Sequence, residues 1–224
     1  MYISKTKMDD LIEEFPLSFW SRLSGTIGLT IPPVKFDMTL RERPEKKSAV
    51  RGRIEKALLK QGKLGPVDDP PTGLEGKTRY IVGDLVMRWA VHEDVRPQIV
   101  WFVGSTERTL VALGGRAEHL TGIYQHDLRD KAPESAELKH VEKQVVADLA
   151  RKIEPGLTVE QRTYSTGHWV HDVVTVHDYW ASELADHVRF LAVVEEYCRP
   201  GELGPSDPTK AVLLGSPVYL FKIG

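Results

Sequence analysis

Three β-rich runs, residues 78–91, 98–104 and 109–114, follow one another with only residues 92–97 and 105–108 between them. Connections this short join antiparallel neighbours, because a parallel return needs a crossover of about a dozen residues or more. The middle of the chain is therefore expected to form a β-meander. Its central run, Gln98-Ile99-Val100-Trp101-Phe102-Val103, has almost no polar alternation. A strand of that kind is covered on both faces, which places it centrally in a sheet.

Around this meander the hydrophobic spacing predicts three helices. Met8, Leu11, Ile12 and Phe15 fall on one helical face before Pro16. Val50, Ile54, Ala57 and Leu58 share another, with Ser48 as the expected N-cap and Gly62 and Gly65-Pro66 as its end. Leu138, Val141, Val145, Val146, Leu149, Ala150 and Ile153 predict the third, capped at Ser135 and closed by Pro155-Gly156. Residues 2–4 and 34–40 read as strands, and 63–77, with Pro66, Pro70 and Pro71, as a loop. The valine- and aromatic-rich run 168–180 suits a strand. Residues 183–198 fit either a helix or a strand, and 210–223 a final strand broken at Gly215-Ser216-Pro217. The sum is an α+β fold: a twisted, mainly antiparallel, barrel-like sheet of roughly six to eight strands with about three packed helices. The last strand is expected in the same sheet as the first, with 1–224 as a single domain.

The charge pattern narrows the partners. A net charge of −2 argues against a general nucleic-acid binder. Residues 41–63, however, carry nine cations against Glu42, Glu45 and Glu55, a local +6 that leaves −8 for the remainder. Such a segment can dock an anionic partner, although a solvated helix face is the commoner meaning of a charge run. The single cysteine, Cys198, rules out an intrachain disulfide. No apolar stretch follows Lys5 and Lys7, and runs such as 99–103 and 190–194 are too short to cross a bilayer. A cytoplasmic protein without a membrane partner is the expectation; the oligomeric state is left open.

The densest polar group is His168-Trp169-Val170-His171-Asp172-Val173-Val174-Thr175-Val176-His177-Asp178-Tyr179-Trp180. On a strand, His171, Thr175, His177 and Tyr179 would share a face, and His171, His177 and Tyr179 are the candidate acid/base groups of a catalytic wall. On a helix, His168 and His171 would sit close enough to share a metal, but no third ligand completes the set, so no metal site is expected. Leu113-Gly114-Gly115-Arg116 offers a turn whose backbone and Arg116 suit an anion, yet it lacks the spacing of a phosphate or dinucleotide loop, and no cofactor is expected. Ser105 and Ser216 fit no nucleophile elbow. Trp89, Trp101, Trp169 and Trp180, with Tyr80 and Phe102, would line an apolar ligand pocket in a curled sheet, or simply a core. Trp89, Trp101, Arg116 and Trp169 are the candidate ligand-binding residues.

Two terminal signatures, Tyr2-Ile3-Ser4 with Lys5 and Lys7 behind it and Val212-Leu213-Leu214-Gly215-Ser216-Pro217-Val218-Tyr219-Leu220, bracket Met87-Arg88-Trp89 and Leu113-Gly114-Gly115. In this combination the chain resembles a family of unknown function common in actinobacteria. The resemblance implies a shared fold and an actinobacterial source, and supplies no activity. From the residues alone, three function classes stand: a small-molecule-binding protein or cofactor-independent acid/base enzyme, an interaction module docking through 41–63, and a nucleotide or phosphate sensor using Arg116.

Overall fold

The computed structural model describes residues 2–15, 44–71, 78–92, 98–120, 150, 168–179, 185–202 and 209–223. In chain order the elements are β1 (Tyr2–Ile3), α1 (Lys5–Glu13), α2 (Pro44–Lys60), β2 (Leu64–Pro66), β3 (Tyr80–His92), β4 (Ile99–Ser105), β5 (Thr109–Arg116), a 3-10 turn (Ala117–His119), α3 (His168–Tyr179), β6 (Asp186–Cys198) and β7 (Ala211–Lys222). The meander forms as its short connections require: β3, β4 and β5 pair antiparallel in sequence. β5 then pairs parallel with β7, β7 antiparallel with β6, and β6 antiparallel with β3. That circuit closes a five-stranded mixed barrel. β1 lies antiparallel on β7, so the first and last strands share the sheet, and β2 runs parallel to the start of β3.

Several expectations need correction. The run 168–180 is a helix over His168–Tyr179, not a strand. Trp169, Asp172, Val173 and Val176 recur at i, i+3, i+4, i+7, and all four are buried, so helical period overrode the β-preference of the valines. Within the run 183–198, which fitted either a helix or a strand, Asp186–Cys198 forms β6. The α2 helix starts one turn before Ser48, at Pro44, where a missing N–H costs nothing. The 63–77 loop contains β2. β7 continues through Gly215-Ser216-Pro217, because Pro217 sits beside a register shift that leaves Val218 as an extra residue. The strand expected at 34–40 lies outside the described residues, as does the helix expected at 138–153 apart from Ala150, which is helical and buried.

Alternation along the strands sorts the apolar side chains into three layers. The barrel interior is filled by side chains such as Val100, Phe102, Val111, Leu113, Phe190 and Leu213. A ring of five strands is narrower than the roughly eight at which side chains just fill a lumen, so the inside is core and not a ligand chamber. One outer face is covered by α3. The other takes Met8, Leu11 and Phe15 of α1 and its end with Ile54 and Leu58 of α2, packed on Leu64, Tyr80, Leu191, Val218 and Tyr219.

Two buried phenols lock this second layer. The Tyr80 hydroxyl donates to Glu14 Oε1 at 2.9 Å while Lys63 Nζ holds Glu14 Oε2 at 2.8 Å. The Tyr219 hydroxyl donates to Glu55 Oε1, and Arg189 Nη2 reaches Glu55 Oε2 at 2.6 Å. Burial, then the hydrogen bond and charge of Glu14, push the Tyr80 phenol well above its ordinary range; burial, then the charge and hydrogen bond of Glu55, do the same for Tyr219. A raised pKa favours the protonated form in the folded state. The stabilisation is therefore complete below the unfolded phenol value of about 10 and is lost as pH climbs above it. Melting temperature is expected to fall above pH ~10, each phenol contributing about 1.4 kcal/mol per pH unit. Tyr80→Phe with Tyr219→Phe should flatten that slope in melts followed by circular dichroism; an unchanged slope refutes the assignment.

Candidate functional site between helix α3 and the barrel wall

The outward register of β4 carries Ile99, Trp101 and Val103, and α3 covers it with Trp169, Val170, Val173 and Val176. Trp101 is fully buried, and the residue directly opposite it on β5 is Gly114. With no side chain at Gly114, the indole has no cross-strand competitor for its place in the layer. Arg116, two residues along, is paired with Ile99 and so shares this face at a diagonal of roughly 7–8 Å from Trp101 in backbone spacing. Its Nη1 lies 3.3 Å from Glu118 Oε1.

This layer is apolar but not wholly so. On the buried side of α3, Asp172 is 5% exposed and Thr175 8%. The Asp172 carboxylate is engaged and is not a free charge. Trp101 Nε1, in contrast, is buried with no hydrogen-bond partner among the described residues. An unpaired buried donor forfeits its hydration, at a cost of about 1–3 kcal/mol, which is why nearly all such groups find a partner. Cys198 closes the far side of the layer, with Sγ 3.6 Å from the Arg199 carbonyl oxygen.

The expected site residues separate accordingly. Trp101, Trp169 and Arg116 come together on one face of the barrel. Trp89 does not join them: it stands opposite Phe102, on the stretch of β3 beyond Met87 that β6 no longer pairs, and is 37% exposed. Tyr80 sits in the α1–α2 layer and Phe102 in the interior, so the aromatics do not line one pocket. His171 and His177 do not form the wall expected of a strand: six residues apart on a helix of 3.6 residues per turn, they point roughly 120° apart. His171 is exposed; His177 Nδ1 lies 3.2 Å from Asp178 Oδ1; Tyr179 is the last residue of α3. Trp180 lies outside the described residues. Among the described residues no group of three or more His, Cys, Asp or Glu could hold a metal ion, and no helix is long and apolar enough to cross a membrane.

Asp172, buried on α3, is the residue of this layer that the strand reading missed. Its signal was present: it stands three residues from Trp169 and four before Val176, on the apolar stripe. The motifs behind the family resemblance also meet in space. Tyr2 pairs with Leu220 and packs against Gly115, while Trp89 faces Phe102, whose ring meets that of Tyr2 edge-on at 5.8 Å. No curated protein and no solved structure matches the chain. A family model matches residues 1–221, and the chain belongs to that family, the family of unknown function DUF7019.

Proposed function

We propose that this chain is a cytoplasmic small-molecule-binding protein whose ligand enters the layer between α3 and the β4–β5 wall. One observation carries the reading: the indole N–H of fully buried Trp101 has no acceptor among the described residues. The groups around it set the chemistry. Trp101 and Trp169 offer apolar ring surface, Thr175 a hydroxyl, and Arg116 a cation at the edge. A compact, mainly apolar organic molecule with one carbonyl or carboxylate oxygen fits that set, the oxygen accepting from Trp101 Nε1.

Binding is the function this layer supports. Asp172 is the only ionisable side chain described on the buried face of α3, whereas His171 faces solvent. Acid/base work needs a proton donor or acceptor within reach of the substrate. A thermal-shift panel of small aromatic ketones and carboxylates tests the proposal. A true ligand at about a hundred times its Kd adds about 2.7 kcal/mol, a rise of roughly 5–10 °C for a chain of this size. Trp101→Phe should abolish the response by removing the donor. If no compound raises the melting temperature, or the phenylalanine variant responds like the parent, the proposal falls.

A further inference from the structure

The solvent face of α2 is built unlike its inner face. Ile54 and Leu58 are fully buried, Glu55 is held by Tyr219 and Arg189, and the Arg51 guanidinium lies 3.7 Å above the Phe221 ring. The helix is therefore fixed to the barrel along one side. The other side presents Gly52, Lys56, Leu59 and Lys60 at i, i+4, i+7 and i+8, with Arg53 on its flank.

Three features of that face find little use among the described residues. Leu59 is 61% exposed, one of the few large apolar side chains described that turn to solvent. Arg53, Lys56 and Lys60 make no ion pair among the described residues; Lys60 in the last turn suits the helix dipole, but Arg53 and Lys56 are too far from the end for that. Gly52 sits inside the helix, where glycine costs about 0.5–1 kcal/mol against alanine, yet a Cβ built there meets nothing within 4 Å. Nothing among the described residues gives a reason for a glycine at that position. An incoming chain that lies close against the helix does.

We propose that Gly52, Arg53, Lys56, Leu59 and Lys60 form a docking surface for an acidic segment of another protein that carries an apolar side chain among its carboxylates. Charge decides the sign of the partner, since residues 41–63 hold +6 in a chain of net −2. An interfacial membrane helix needs a broad exposed apolar face, and that of α2 is spent on the barrel. A nucleic acid is recognised by cations spread along its backbone with aromatic platforms, whereas the described cations span about two turns and have one leucine beside them. A leucine ringed by cations suits a short peptide, for which the apolar contact gives affinity and the charges give orientation and rate.

Fluorescence anisotropy with a labelled peptide of repeating Glu-Glu-Leu tests this. The parent should bind it, more weakly as salt rises. Lys56→Glu with Lys60→Glu, and separately Leu59→Ser, should each weaken binding about tenfold or more with the melting temperature kept. Gly52→Leu should raise the melting temperature while weakening the peptide, an opposition that a merely structural glycine would not produce. Absence of peptide binding, indifference to these substitutions, or preference for a DNA duplex or for phosphatidylcholine–phosphatidylserine vesicles would each overturn the proposal. So would a mass in solution showing that the acidic surface of a second copy occupies the face.

Discussion

Trp101→Ala is expected to lower the unfolding free energy by about 3–5 kcal/mol, the range for truncating a buried aromatic that its surroundings cannot refill. The surroundings here are rigid on one side and dependent on the other. β4 is paired along its length with both β3 and β5, so the wall cannot collapse into the space. α3 is only 12 residues long, and helices of that length owe their stability to the face they bury. The loss should therefore appear first as faster amide exchange in 168–179 and then as a lower denaturation midpoint. A change under about 1 kcal/mol would mean that the indole is not packed as described. Trp101→Phe is a different experiment. It gives up part of the ring, but it also removes the unpaired N–H, whose burial costs about 1–3 kcal/mol, so the two effects oppose each other. That balance makes the phenylalanine variant the right one for testing the ligand.

The meander strands β3, β4 and β5 were legible because their signal is local. Short polar breaks dictate antiparallel neighbours, and the unbroken apolar run of β4 reflects an interior on one side and α3 on the other. The same circumstance hid β6: with Phe190 and Ala192 facing the interior and Leu191 facing α1 and α2, no alternation remained to tell strand from helix. The α3 run misled for the opposite reason. Its valines have high β-propensity, yet Trp169, Asp172, Val173 and Val176 already kept helical time, and in a helix packed on a wall the period outweighs the propensity. The candidate site was half readable. Trp101, Trp169 and Arg116 could be named from type, but not that Gly114 faces Trp101 or that its N–H goes unpaired, since both follow from register. The clamp on α2 lay beyond reach altogether, because Glu55 and Tyr219 are 164 residues apart in sequence.

Register also makes Gly115 a sensitive position. It sits on the inward face of β5, and a Cβ there would come within 2.2 Å of the Tyr2 hydroxyl and 2.6 Å of its ring carbon. The far end of a tyrosine normally swings aside, but this ring is 1% exposed and wedged edge-on against Phe102 and His119, at 5.8 and 5.6 Å. Something larger than a side chain must yield. β5 is held by ladders to both β4 and β7, whereas β1 contributes only two residues to its ladder on β7. Gly115→Ala is therefore expected to expel β1 and leave the barrel closed, costing about 3 kcal/mol, the upper end for overpacking. Amide exchange should accelerate at Tyr2–Ser4, where Ser4 N–H donates to the Val218 carbonyl at 2.9 Å, and remain slow in β4. Tyr2→Leu supplies the control: in that background the alanine has no phenol to strike, and its cost should fall below about 1 kcal/mol. An equal cost in both backgrounds would show that Gly115 is needed for the strand itself, and that Tyr2 does not close this end of the barrel.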